Sequence, residues 1–162
     1  IDGLSERGLV PVVKAAAASG RPFLGICVGL QLLFDYGEEG VGAEGLGIFP
    51  GRVVRFPDAA TTGLKVPHMG WNAITPTENP MASDLLSYTS KTPYTYFVHS
   101  YYAQPEDERI VLATCDYGVS FPAIVGRDNI YATQFHPEKS QHEGLAILKA
   151  FGNKVVAGAG IT

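Results

Sequence analysis

The chain has 162 residues, of which 46% are hydrophobic and 17% charged, and its formal net charge is -4. This composition excludes a disordered polymer, and the length suffices for one domain with a core. The acidic balance and the absence of a Lys/Arg cluster argue against nucleic acid or an anionic membrane as a partner. We therefore expect a single domain over residues 1–162 that binds neither.

The first third of the chain alternates between helical and strand-like patterns. A helix is predicted over residues 4–19, a buried strand over 22–27 and a second helix over 28–36. The later strand-like runs cover residues 47–56, 64–74, 95–103, 110–116, 120–125 and 130–135, and a closing helix is predicted over 144–156. This order predicts an α/β fold.

We expect an open, three-layer sheet, mostly parallel, with helices on both faces and an antiparallel extension from the strand-rich middle. No apolar run approaches the roughly 20 residues of a membrane span. The two cysteines, Cys27 and Cys115, are too few for a disulfide scaffold. A reducing cytoplasm is the simpler expectation, and it leaves Cys27 as a free thiol.

The run Gly25-Ile26-Cys27-Val28-Gly29 places a cysteine between a buried strand and a helix, with small residues on both sides. This pattern is typical of a nucleophile elbow, in which a strained turn exposes the side chain above the sheet. The following helix N-terminus is expected to lower the thiol pKa, and the Val28 N–H to face a developing oxyanion. A buried structural cysteine beside two packing glycines is the alternative.

A nucleophile needs a base, and the base needs a group that orients it. His136 follows a strand-like run, and Glu138 lies two residues further on, where its carboxylate is able to hold the imidazole in one tautomer. Spacing alone does not choose His136 over the other histidines, His68, His99 and His142. No C-x-x-C or H-x-x-x-H spacing is present, and we expect no metal and no cofactor.

Two motifs together resemble those of class I (triad) glutamine amidotransferases: residues 25–31, Gly-Ile-Cys-Val-Gly-Leu-Gln, and residues 134–138, Gln-Phe-His-Pro-Glu. The resemblance implies hydrolysis of glutamine, with Cys27 as nucleophile, His136 moving protons and Glu138 orienting His136. It implies that Gln31, and with it Ser100 and Tyr101, bind the substrate glutamine.

Further segments are similar to the glutaminase subunit of imidazole glycerol phosphate synthase, and the resemblance covers nearly the whole chain. They are residues 47–51, 65–72, 96–101 and 134–140. The partner implied is a (β/α)8-barrel cyclase that uses the ammonia in histidine biosynthesis. The residues implied to lie near that partner are Pro67, Met69, Trp71, Asn72 and Lys139. Core packing is the alternative role for Met69 and Trp71, and we expect His68 and His99 to be structural.

The chain departs from the family pattern at its N-terminus. The family begins with a strand, a helix and a Pro-Gly-Val-Gly-like loop that completes the oxyanion hole, so we expect these to precede Leu4 in a longer protein. Two other functions stay open: a glutaminase for another synthase, of the anthranilate or guanylate type, and a catalytically silent fragment that only docks on the partner. A cysteine hydrolase acting on peptides or small aldehydes is a further alternative.

Overall fold

The computed structural model describes residues 1–58, 60 and 63–158. The helices are α1 (Asp2–Ser5), α2 (Val10–Ala18), α3 (Val28–Gln31), α4 (Pro80–Leu85) and α5 (Gln141–Gly158). The strands are β1 (Phe23–Ile26), β2 (Phe34–Gly37), β3 (Ala43–Glu44), β4 (Phe49–Arg55), β5 (His68–Ala73), β6 (Thr75–Pro76), β7 (Tyr94–His99), β8 (Tyr101–Pro105), β9 (Val111–Asp116), β10 (Ser120–Arg127) and β11 (Ile130–Thr133). None of these helices is long and apolar enough to cross a bilayer.

Two predicted helices are shorter than their patterns indicate. The helix predicted over 4–19 is two helices, because Gly8 takes a φ of 65° between them and Pro11 lies in the first turn of α2. The helix predicted over 28–36 ends at Gln31, and Phe34 begins β2. Phe34 pairs in parallel with Phe49 of β4, so a long-range strand pairing overrides the local helical pattern.

The expectation of a mostly parallel sheet is wrong. The largest sheet has the order β1-β11-β10-β9-β6, and only its β1–β11 pair is parallel. A second sheet has the order β3-β2-β4-β8, and strands β5 and β7 form a separate antiparallel pair. The strands are therefore mixed, because β9, β10 and β11 follow one another through short hairpins instead of the helical crossovers that parallel strands require.

Two hydrophobic cores lie on opposite faces of the five-stranded sheet. Along β11, Tyr131 packs into one core and its neighbours Ile130 and Ala132 into the other, as the alternation of side chains along a strand requires. The first core also contains Ile147 of α5 and residues of α4. The second contains Leu30 of α3 and residues of α2 and of the four-stranded sheet. Helices therefore cover both faces, as expected from the sequence.

Candidate active site

Cys27 lies in a strained turn between β1 and α3. Its φ of 52° and ψ of -107° are unusual for a residue with a side chain. The turn brings α3 so close to β1 that a Cβ on Gly25 would lie 2.8 Å from the carbonyl oxygen of Gly29. A Cβ on Gly29 would meet nothing within 4 Å. The close approach therefore explains the first glycine of the elbow, and it does not explain the second.

The parallel pairing of β1 with β11 brings the two sequence motifs together. The Cys27 backbone N–H donates to the carbonyl of Thr133 at 2.7 Å, which continues the strand register into the elbow. Both strands end at the same sheet edge, the usual place for a site in an α/β protein. The next residue, Gln134, is fully buried, and its Nε2 lies 3.8 Å from the Cys27 sulfur.

His136 is held both by its side chain and by its backbone. Its Nδ1 lies 2.7 Å from Oε1 of Glu138, so Nδ1–H donates to the carboxylate and Nε2 is free to act as a base. The His136 N–H donates to the carbonyl of Tyr96 in β7. The hydroxyl of Ser140 accepts from the Tyr96 N–H and donates to the His136 carbonyl. Strand β7 therefore fixes the position of the imidazole.

The thiol of Cys27 differs from the sequence-based expectation. Burial raises its pKa above the ordinary value, and the nearby Glu138 carboxylate raises it further. The N–H of Val28, which is hydrogen-bonded to the sulfur, and the charge of Lys139 act in the opposite direction, but burial is the largest influence. Helix α3 has only four residues, too few for a strong helix dipole. At rest Cys27 is therefore a thiol, and nucleophilic attack by its sulfur would require a base.

Gln31 and Tyr101 meet beside the elbow. The Nε2 of Gln31 donates to the Tyr101 carbonyl at 3.0 Å and to Oε1 of Gln134 at 3.1 Å. Val28, Gln31 and Tyr101 share the wall of an open cavity of about 250 Å³. Ser100 is half-buried between β7 and β8, where its carbonyl accepts from Phe56, and it does not line this cavity.

Comparison with known proteins assigns the chain to a family. The family model of class-I glutamine amidotransferases matches residues 5–155. The chain belongs to that family. It is 55% identical over 156 residues to the imidazole glycerol phosphate synthase subunit HisH of Syntrophotalea carbinolica, covering 94% of this chain and 74% of the relative. It is 51% identical over 152 residues to HisH of Desulfitobacterium hafniense, covering 94% and 69%.

A crystal structure of a glutamine amidotransferase shares the fold, with a TM-score of 0.61 at 18% identity, over 92% of this chain and 71% of that one. The resemblance to the glutaminase subunit of imidazole glycerol phosphate synthase is thus confirmed by the HisH relatives, and with it the chain's function as a glutaminase subunit of that type. The roles of its individual residues rest on the geometry above.

The residues predicted to face a partner lie mostly on the surface of this amidotransferase. Met69 and Trp71 project from the same face of β5 and are 63% and 45% exposed. Pro67 and Lys139 are also exposed. Asn72 differs, because its Nδ2 donates to the Asp116 carbonyl at 2.8 Å and its Oδ1 accepts from Ala73 at 2.8 Å. Its side chain is therefore committed to the amidotransferase's own fold.

Sequence reasoning named Gln134 only as part of a motif and assigned its side chain no role. The structure makes it the link between Gln31 and Cys27. In the sequence, Gln134 is recognisable as a polar amide side chain within the predicted strand over residues 130–135. His68 and His99 are buried and bonded to each other at 3.2 Å. Among the residues that the structure describes, no three His, Cys, Asp or Glu side chains gather as a potential metal site.

Proposed function

We propose that this HisH-type chain hydrolyses the side-chain amide of glutamine with Cys27, His136 and Glu138, and supplies the ammonia to a cyclase subunit in histidine biosynthesis. The observation that carries the proposal is the 2.7 Å bond from His136 Nδ1 to Glu138, at the sheet edge where the Cys27 elbow also lies. The bond orients a base beside a strained nucleophile, as a catalytic triad requires.

In the proposed reaction the Cys27 sulfur attacks the amide carbon of glutamine while Nε2 of His136 removes the thiol proton. The carbonyl oxygen becomes an oxyanion that the Val28 N–H stabilises. His136 then gives its proton to the departing nitrogen, which leaves as ammonia, and a thioester remains. His136 next deprotonates a water that attacks the thioester, and glutamate and the thiol are released. Gln31 and Tyr101 are proposed to hold the substrate.

A raised thiol pKa fits this sequence of steps. A cysteine that stays protonated at rest reacts slowly with stray electrophiles. It becomes a nucleophile when the substrate is bound and His136 accepts the proton. We propose that the protein works in the reducing cytoplasm, since the mechanism requires Cys27 as a free thiol and both cysteines are free in the structure.

The test is glutamate release from glutamine, measured for the chain alone and with the cyclase subunit and its ribonucleotide ligand. Cys27→Ala is expected to abolish turnover, and Cys115→Ala, at the other cysteine, is the matched control that is expected to keep it. The strand, helix and loop predicted to precede Leu4 stay a prediction. A second form of the protein, with the N-terminal segment of the Syntrophotalea relative joined ahead of Leu4, tests them.

Three outcomes are informative. Turnover that depends on the cyclase and on Cys27 supports the proposal. Turnover that ignores this cyclase but responds to another synthase would assign the chain to that synthase. The absence of glutamate release from both forms under every condition would leave docking as the remaining function and contradict the triad.

The proposed docking face for the (β/α)8-barrel cyclase consists of Pro67, Met69, Trp71 and Lys139. Exposed Trp and Met side chains are enriched at the centre of protein interfaces, whereas a lysine is expected in the polar rim. Trp71→Ala is expected to weaken cyclase binding about tenfold or more, measured by titration calorimetry, because interface tryptophans often contribute more than about 1.4 kcal/mol. Leu145→Ala, at another exposed apolar side chain on α5, is the matched control.

A further inference from the structure

Two histidines outside the triad form a buried pair across strands β5 and β7. His68 and His99 are register partners, only 2% and 6% exposed, with Nδ1 of His68 lying 3.2 Å from Nε2 of His99. The ring of His68 stacks on Phe97 at 4.7 Å and on Tyr117 at 4.0 Å. The mechanism proposed above uses neither imidazole, so the pair requires a separate explanation.

The hydrogen bonds determine which nitrogen of each ring carries the proton. Nδ1 of His99 lies 2.8 Å from the carbonyl oxygen of Tyr101, which accepts only, so this nitrogen must carry a proton. In a neutral ring Nε2 of His99 is then an acceptor, and the proton in the bond between the histidines belongs to Nδ1 of His68. Burial lowers the pKa of both rings to about 4, so at neutral pH both are neutral, with the proton on Nδ1.

The chain of hydrogen bonds continues from the histidines to the elbow. The carbonyl of Tyr101 accepts from His99 and also from Nε2 of Gln31. The same Nε2 donates its second hydrogen to Gln134, whose own Nε2 points at the Cys27 sulfur. Both hydrogens of the Gln31 side-chain amide are thus used, so its Oε1 is the atom left to accept a hydrogen bond from a ligand.

We propose that His68 and His99 are positioning residues that fix the Tyr101 carbonyl and, through it, the orientation of the Gln31 amide for glutamine binding. The proposal rests on the function above, in which Gln31 contacts the substrate. From the buried side, His99 donates a hydrogen bond to the Tyr101 carbonyl. The Gln31 amide then has a single orientation in which it donates to that carbonyl and also to Gln134. Without them the carbonyl, whose backbone is held by the pairing of β8 with β4, would lose its buried donor, and the Gln31 amide would be less firmly directed.

The first test compares two substitutions of His68 in the complex with the cyclase subunit. His68→Leu removes the donor to His99, and His68→Asn keeps an N–H near the position of Nδ1. We expect His68→Leu to raise the KM for glutamine about tenfold with kcat within about twofold, since a tenfold change corresponds to about 1.4 kcal/mol. His68→Asn should restore most of the loss. Ile147→Val, in the core that contains Phe97, on whose ring His68 stacks, is the matched control for altered packing.

Three results of this test would overturn the proposal. One is an unchanged KM in His68→Leu, and another is a KM in His68→Asn as high as in His68→Leu. The third is an equal rise of KM in Ile147→Val, which would show that the pair only supports the fold.

The second test needs no enzyme activity and therefore separates this proposal from the proposed function. In uniformly ¹⁵N-labelled protein, two-bond proton–nitrogen correlations at neutral pH should show the proton on Nδ1 in both rings. The Gln31 side-chain amide protons should exchange slowly with water in the wild type and faster in His68→Leu. A proton on Nε2 of either ring, or exchange at Gln31 that His68→Leu does not change, would refute the positioning role even if glutamine is hydrolysed.

Discussion

Replacing each glycine of the elbow by alanine separates steric necessity from sequence pattern. In Gly25→Ala the new Cβ would lie 2.8 Å from the Gly29 oxygen, 2.9 Å from its carbonyl carbon and 3.2 Å from Cβ of Ala132. Two of these neighbours are backbone atoms of the next helix, so relief requires α3 to move away from β1. In Gly29→Ala the new Cβ meets nothing within 4 Å.

The expected changes in the free energy of unfolding have opposite signs in the two variants. Overpacking of this kind costs about 1–3 kcal/mol, and the loss of glycine freedom in the unfolded chain offsets about 0.4–1 kcal/mol of it. Gly25→Ala should therefore destabilise the protein by roughly 1–2 kcal/mol. Gly29→Ala replaces a helical glycine and should stabilise it by about 0.5–1 kcal/mol. The two variants should differ by roughly 1.5–3 kcal/mol.

Urea unfolding followed by circular dichroism measures the difference, provided that the m-value stays the same in both variants. In Gly25→Ala the shifted α3 also displaces the Val28 N–H, the proposed donor to the oxyanion, so kcat should fall together with stability. The reasoning would be refuted if Gly29→Ala lost as much stability as Gly25→Ala, or if Gly25→Ala unfolded at the wild-type urea concentration.

Three further predictions concern ionisable groups. The rate of Cys27 alkylation by iodoacetamide should keep rising up to at least pH 9, because the thiol pKa is raised. Glu138→Gln should speed the alkylation at pH 8, because it removes a carboxylate that raises the thiol pKa. A rate that reaches its plateau near pH 7 would contradict both predictions. Cys115 has its pKa raised to about 12 by burial and should react with a thiol reagent only in urea, so the native protein should show one reactive thiol and the unfolded protein two. Burial lowers the pKa of His68 and His99 to about 4, below the ordinary 6.5. The unfolded chain therefore binds more protons than the folded protein between these two pKa values. The free energy of unfolding should be highest above pH 6.5 and should fall by about 2 kcal/mol per histidine between pH 7.5 and 5. Urea unfolding at the two pH values measures this fall, and a free energy of unfolding that does not change with pH would contradict it.

The local pattern of the chain was sufficient for features that depend on neighbouring residues. The buried strand before Cys27, the closing helix and most of the later strands were predicted within a few residues, because apolar periodicity and Gly/Pro punctuation act locally. The His136–Glu138 contact was predictable for the same reason, since the two residues are separated only by Pro137. The family resemblance likewise depended on two short motifs.

Tertiary structure decided the features that depend on residues far apart in the chain. Phe34 belongs to a strand instead of a helix because Phe49 offers it a partner. The thiol pKa of Cys27 is raised because burial outweighs the short α3, and no local pattern reports how deeply a sulfur is buried. The histidine pair and the link through Gln134 join strands and helices separated by long stretches of sequence. Sequence alone therefore identified the groups that we propose perform the chemistry. Only the fold determined how they are oriented and charged, because both properties depend on contacts across the sheets.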